Sequence, residues 1–365
     1  MRILQISSAS SFGGGERHVV DLTNALAARG HELLVALRPN SPLIPQLSLP
    51  PSNIKTLPLR NALDPQSARG LARLVKQQKI EVIHAHMARD YSLAAYAARS
   101  SRDTKLIVTR HVLFPLNSLH RRVLSRANRV IAVSRAVANQ LRAQRLIDDQ
   151  RIAVVPNGID VERFAVAARQ FDRLDVLRQL KLPKDCLLVG SVGELRVLKR
   201  HDDFIRAAAI VAREFPQTQF VVAGVDTSSG GQVHKQLVAL ANQLGLADRL
   251  HFLGWLDNLE ELLLALDVFV SASETESFGL AIAEAMAAGS AVVATETEGA
   301  KEVVTDQTTG LLVPIGDYER IAAAMAELVR NEAFRKNLAA RAREAIAENF
   351  SLERMVTKTE EIYFT

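Results

Sequence analysis

Two glutamates eight residues apart, Glu276 and Glu284, flank a Phe278-Gly279 step in Ser273-Glu-Thr-Glu-Ser-Phe-Gly-Leu-Ala-Ile-Ala-Glu-Ala-Met-Ala-Ala-Gly289. A carboxylate accepts hydrogen bonds on two oxygens, so it suits paired hydroxyl groups. The apolar run Asp267-Val-Phe-Val-Ser-Ala-Ser273 before it reads as a buried parallel strand. The Ala/Met/Leu-rich run after it favours helix. The spacing predicts a strand, a short loop carrying Glu276, and a helix opening near Phe278 with Glu284 about two turns in. Helix N-termini offer unpaired N–H groups with partial positive charge, where phosphate docks. Gly279 removes a side chain where a ligand comes close. Sugar hydroxyls, a pyrophosphate and ribose hydroxyls in sequence are the pattern of a nucleotide sugar.

This string resembles the Glu-x7-Glu motif of retaining glycosyltransferases of the GT-B fold, glycosyltransferase family 4. By that resemblance Glu276 touches the donor sugar and Glu284 the ribose. The amides of Ser277, Phe278, Gly279 and Leu280 would hold the pyrophosphate and sugar.

Other segments carry chemistry. Phe12-Gly-Gly-Gly-Glu-Arg-His18 follows a first strand and opens a helix. Consecutive glycines let backbone approach a ligand, but the spacing is not the dinucleotide fingerprint. It resembles the family's Gly-Gly-Ala-Glu-Arg loop, with Gly15 where alanine is usual, and assigns Gly13, Gly14 and Gly15 to the donor. Gly190-Ser-Val-Gly-Glu-Leu-Arg-Val-Leu-Lys-Arg-His201 follows another strand. A departing pyrophosphate gains negative charge, which a fixed Lys or Arg stabilises. The segment resembles the family's Gly-Arg-Leu-x3-Lys-Gly motif. Lys199 matches the lysine, Glu194 stands where the family has arginine, and Arg200 replaces the glycine. Arg196 is the candidate substitute for that arginine.

His111 ends a strand in Val108-Thr-Arg-His-Val112, at the carboxyl edge where ligands bind in α/β sheets. The family places a histidine there, near the donor sugar and reacting centre; Arg110 beside it is assigned to the acceptor. His84 and His86 share one face of another strand end and read as cleft or core residues, since a metal needs more ligands. His251-Phe-Leu-Gly-Trp-Leu256 resembles the family's base-holding loop, implicating Leu253, Gly254 and Trp255.

These residues need a scaffold. Short β-rich runs alternate with helical patterns along all 365 residues, which argues for parallel α/β sheets. Strands are expected at Arg2–Ser7, His31–Leu37, Ile54–Leu59, Val82–His86, Lys105–Arg110, Val130–Ser134 and Ile152–Pro156. Six more are expected at Leu187–Ser191, Gln219–Ala223, Leu250–Leu253, Val268–Ser271, Ala291–Thr295 and Leu311–Val313. Two sets imply two Rossmann-like domains, which in the GT-B fold face each other across a cleft. The expected division is 1–165 for the acceptor and 166–345 for the nucleotide sugar. By resemblance a last helix, 346–365, crosses back to the first domain.

Composition narrows the function. Hydrophobic residues make up 48% of the chain, too many for a disordered protein. No uncharged apolar run is long enough to span a bilayer, and the N-terminus reads as a strand. The one cysteine, Cys186, excludes an internal disulfide and reads as a core residue. A cytoplasmic location is expected, with peripheral attachment to the inner membrane face as a variant. Residues 1–165 hold 24 Lys+Arg against 11 Asp+Glu, and the remainder 21 against 29. The basic half suggests an anionic acceptor or surface, with Arg121, Arg122, Arg126 and Arg129 as contacts.

The reading is therefore a retaining transferase moving a sugar from a nucleotide diphosphate sugar to a glycan or lipid-linked acceptor. A UDP-sugar is the first choice of donor and a GDP-sugar the second, with no cofactor and no metal. A nucleotide-sugar epimerase or hydrolase on the same architecture, or a non-catalytic binder of anionic polymer, are the alternatives. No RNA-recognition signature is present, so nucleic acid is not expected.

Overall fold

The computed structural model describes residues 1–117 and 119–365 and divides them into two compact units, Met1–Gly158 with Leu352–Thr365, and Ile159–Ser351. All thirteen expected strands form, and every strand pairing is parallel.

In the first unit the strands are β1 (Arg2–Ser7), β2 (Glu32–Leu37), β3 (Ile54–Thr56), β4 (Val82–Ala85), β5 (Lys105–Arg110), β6 (Arg129–Ala132) and β7 (Ile152–Val154). Their order is β3-β2-β1-β4-β5-β6-β7. The order reverses direction between β1 and β4, and such switch points open a crevice at the carboxyl ends of the strands. The chain leaves β1 through the triple-glycine loop and enters the helix Gly14–Ala28 within it. The strands read as near-continuous hydrophobic runs because helices cover both faces. Ile3, Val82, Ile107 and Ile131 pack on one side with Leu22, Leu26, Met355, Val356 and Tyr363; Leu4, Ile83, Val108 and Val130 pack on the other. The final helix, Leu352–Phe364, thus belongs to the first unit's core.

The second unit holds β8 (Leu187–Val192), β9 (Thr218–Ala223), β10 (Leu250–Gly254), β11 (Val268–Ser271), β12 (Ala291–Thr295) and β13 (Leu311–Val313), ordered β10-β9-β8-β11-β12-β13. Its switch point lies between β8 and β11. The loop after β8 carries Lys199 and the loop after β11 carries Glu276. Cys186 is buried in this unit's core, as a small apolar residue would be.

The chain enters the second unit at Ile159 rather than near 165. Asp160 caps the helix Val161–Gln170, and Phe164 on that helix packs into the second core with Ile159. The unit likewise extends past 345, because Ile346 lies in the same core and the helix Glu332–Asn349 is unbroken there. Among the described residues, no helix is long and apolar enough to cross a membrane.

Candidate functional site

The helix after β11 starts at Leu280, capped by Gly279 at φ +92°. That left-handed backbone is easy for glycine and strained for other residues. Because the helix opens at Leu280, Glu284 stands one turn into it and not two. Phe278 is buried on Phe350, with ring centroids 5.5 Å apart, and anchors the loop from below.

Glu276 is held from two sides. Its Oε1 accepts from Lys199 Nζ at 2.6 Å and from Ser273 Oγ at 2.7 Å. Lys199 comes from the β8 side of the switch point, so the fold joins a cation and a carboxylate 77 residues apart. The backbone ties the two loops as well, with Glu274 N–H donating to Leu198 O at 2.9 Å. Glu284 is engaged by a different cation: Arg163 Nη2 lies 3.3 Å from its Oε1, and Arg163 Nε lies 2.9 Å from Glu260. Glu276 and Glu284 side chains are only 14% and 13% exposed.

The remaining predicted positions divide. Arg196, 55% exposed, pairs with Glu194 at 3.4 Å, so the proposed substitute arginine is held by the carboxylate that displaced the original. Arg200 pairs with Asp203 at 2.6 Å. Leu253 and Gly254 close β10, and Gly254 O accepts from Gly224 N–H at 2.8 Å. Trp255 is exposed and donates to Asp257 at 3.1 Å. Gly299 carries no sequence signal of its own, yet a Cβ there would lie 2.5 Å from Glu276 O and 2.7 Å from Phe278 N. Its own N–H donates to Glu276 O at 3.1 Å. Only a glycine lets this backbone lie against the Glu276 loop.

In the first unit, the helix after β1 and the ends of β4 and β5 gather histidines. His18, His86 and His111 place one ring nitrogen each within 4.8 Å of one another. Gly15 lies against this group, its absent Cβ 3.7 Å from the His111 ring. His84, two residues before His86, is a satisfied core residue: its nitrogens meet Tyr363 and Thr109 hydroxyls at 2.6 Å each. Burial lowers all four pKa values, His18 to about 4 and the others well below the ordinary histidine value, with neighbouring imidazoles adding to the effect for His84, His86 and His111. These rings are neutral at physiological pH. Arg110, assigned to the acceptor from sequence, is 6% exposed and donates to Phe114 O. Arg121, Arg122 and Arg126 are exposed, and Arg129 is half-buried. Gly13 and Gly14 are exposed at the helix opening.

Sequence profiles match the two units in turn. That of Glycosyltransferase Family 4 covers residues 12–163, and that of Glycosyl transferases group 1 covers residues 172–345. Over 365 aligned residues the chain is 30% identical to D-inositol 3-phosphate glycosyltransferase of Geodermatophilus obscurus, across 89% of this chain and 79% of that one. The chain belongs to the group 1 glycosyltransferases. It is also 28% identical over 307 residues to N-acetyl-alpha-D-glucosaminyl L-malate synthase of Bacillus anthracis, across 81% and 78% of the two chains. HepE of Anabaena, solved with UDP and glucose, superposes with a TM-score of 0.86 at 23% identity, over 99% of this chain and 98% of that one. The fold of this glycosyltransferase is GT-B.

Proposed function

We propose that this glycosyltransferase moves a sugar from a UDP-sugar to a hydroxyl of an acid-bearing acceptor, with retention at the anomeric carbon. The observation that carries the reading is the Lys199–Glu276 pair beside the helix opening at Leu280. A lysine already positioned beside a donor carboxylate can turn to a pyrophosphate, whose negative charge grows as the glycosidic bond breaks. The helix N-terminus adds partial positive charge. No metal is needed at the pyrophosphate on this account. Glu276 then holds sugar hydroxyls, Glu284 the ribose, and Leu253 to Trp255 the base.

His111 is assigned to the reacting centre, where a neutral imidazole can exchange hydrogen bonds with sugar hydroxyls without repelling a developing oxocarbenium ion. The acceptor oxygen attacks the anomeric carbon on the face the phosphate leaves. The bond from that carbon to the phosphate oxygen breaks, the bond to the acceptor oxygen forms, and the acceptor proton passes to the departing phosphate oxygen. No enzymic nucleophile takes part.

Two features support an anionic acceptor: the basic excess of residues 1–165, and relatives whose names carry L-malate and inositol 3-phosphate. A lipid-linked or phosphorylated glycan at an anionic membrane face fits the same charge, with Arg121, Arg122, Arg126 and Arg129 as contacts. Vesicle binding indifferent to acidic lipid and to salt would remove the membrane from this reading.

The deciding experiment is thermal unfolding with UDP, GDP, ADP and their sugar conjugates. A ligand at about 100 times its Kd adds roughly 2.7 kcal/mol, which is visible in the midpoint. A shift with UDP and UDP-sugars alone supports the donor; a shift with GDP alone reassigns the base. No shift with any of them refutes the nucleotide-sugar site as drawn.

A further inference from the structure

The histidine cluster of the first unit has a hydrogen-bond pattern that the transfer reaction does not require. His86 Nε2 lies 2.7 Å from Gln5 Oε1, and Gln5 Nε2 donates to Tyr363 Oη at 3.4 Å. The amide therefore presents its oxygen to His86, which must carry its proton on Nε2 and keep a lone pair on Nδ1. His18 Nδ1 lies 2.8 Å from Asn157 Oδ1, which fixes its proton on Nδ1 and leaves the lone pair on Nε2. That Nε2 is buried without a partner in a residue 4% exposed. His111 Nε2 lies 3.3 Å from His86 Nδ1, and His111 Nδ1 is likewise buried and unpartnered.

Burying an unpaired polar atom costs on the order of 1–3 kcal/mol, so the lone pair on His18 Nε2 calls for an explanation. Metal-ligating histidines characteristically donate their second N–H to an oxygen acceptor, which aims the other nitrogen at the ion. His18 and His86 both do so here, through Asn157 and Gln5. Tetrahedral zinc with bonds of about 2.0–2.1 Å sets its nitrogens about 3.4 Å apart. The His86–His111 separation is already 3.3 Å. The widest separation in the trio is within 4.8 Å, so closing on an ion takes a movement of roughly 1.5 Å or less, the scale of a small ring rotation.

We propose that His18, His86 and His111 form a three-nitrogen binding site for Zn2+, with the fourth position left to water or an anion. The donor set is all neutral imidazole, which suits zinc and its transition-metal neighbours and not Mg2+ or Ca2+, which take oxygen ligands. The bonds from His18 Nδ1 to Asn157 and from His86 Nε2 to Gln5 leave the other nitrogen of each ring without a proton, so none has to be displaced from His18 or His86 on binding. His111 must surrender the proton it lends to His86. Metal on His111 Nε2 places that proton on Nδ1 and turns Nδ1 from acceptor into donor. Occupancy would thereby change what His111 offers a sugar hydroxyl, while the pyrophosphate remains with Lys199. The site rests on this geometry alone and stands whether or not the transferase reading does.

The test is titration of the full-length, chelator-stripped protein with Co2+ and then Zn2+. Expected are one equivalent of Co2+ with the visible absorption of a four-coordinate ion, its displacement by Zn2+, and a raised melting temperature with Zn2+ but not Mg2+. His18→Gln and His86→Gln should each weaken binding at least tenfold, with circular dichroism confirming the fold. His251→Gln, in the second unit, should bind like wild type. If wild-type protein gives no such spectrum and no zinc-dependent shift, the proposal is overturned without recourse to variants. Binding that survives in His18→Gln and His86→Gln overturns it equally. UDP binding is measured alongside, so loss of the donor site is distinguishable from loss of the metal site.

Discussion

Replacing Gly299 by alanine adds one methyl group and tests how the Glu276 loop is held. The new Cβ would sit 2.5 Å from Glu276 O and 2.7 Å from Phe278 N, both backbone atoms that no rotamer change can move. Relief to an ordinary contact of about 3.5 Å requires the two segments to part by roughly 1 Å. Overpacking of this kind costs about 1–3 kcal/mol, and strain on the 3.1 Å bond from Gly299 N–H to Glu276 O adds about 1 kcal/mol. For a unit of this size the sum lowers Tm by about 4–16 °C. The functional effect should exceed the stability effect. A shift of 1 Å in a group that orients substrate costs on the order of 100-fold in rate. Differential scanning fluorimetry gives the first quantity, and UDP-sugar turnover with UDP calorimetry the second. Glu298→Ala, an exposed neighbour on the same helix, is the control. A Gly299→Ala protein that melts and binds UDP like wild type would refute both the close approach and its link to the site.

Further outcomes follow from the same geometry. Lys199→Met and Glu276→Gln should each cut donor turnover about 100- to 1000-fold while moving Tm by only a few degrees, because the pair is partly solvated; turnover within threefold of wild type would discard the assignment. Glu284→Ala should weaken UDP about 10- to 100-fold and abolish any preference for UDP over its 2′-deoxy analogue, and a retained preference would place the ribose elsewhere. Stability should fall in acid. His18 titrates near 4 in the folded chain and near 6.5 unfolded, so between those values the unfolded state binds the extra proton. The contribution, roughly 3 kcal/mol in full, is present above pH 6.5 and about 2 kcal/mol of it is gone at pH 5. His84, His86 and His111 act in the same direction. Asp90, raised to about 6 by burial, opposes them between about pH 4 and 6. Urea melts that give equal stability at pH 7.5 and pH 5 would contradict neutral, buried imidazoles.

Local chemistry made much of this protein legible in one dimension. Buried parallel strands are short continuous apolar runs, so β1, β5, β11, β12 and β13 could be bounded from sequence within a residue. The turn after β11 announced itself through Gly279, whose positive φ has few alternatives. The start of the following helix needed a tertiary contact. The helix opens at Leu280 and not at Phe278 because Phe278 is drawn into the core against Phe350, a contact that no local pattern encodes.

The site divides in the same way. The residue types were readable: a lysine, glutamates and a strand-end histidine have few reasons to follow parallel strands in these motifs. Their pairing was not. Whether Lys199 meets Glu276 depends on β8 and β11 being neighbours at a switch point, which sheet order decides. Arg196 looked free to replace a missing arginine, but the fold leaves it beside Glu194. His18 was one residue of a glycine-loop motif, and its meeting with His86 and His111 comes from three segments converging at the carboxyl edge of one sheet. Gly299 matters only because another backbone passes within van der Waals distance of it. Sequence determined which groups this chain could use, since propensity and side-chain chemistry act over a few residues. Tertiary structure decided which of them touch, because contact between distant segments is set by strand order and packing.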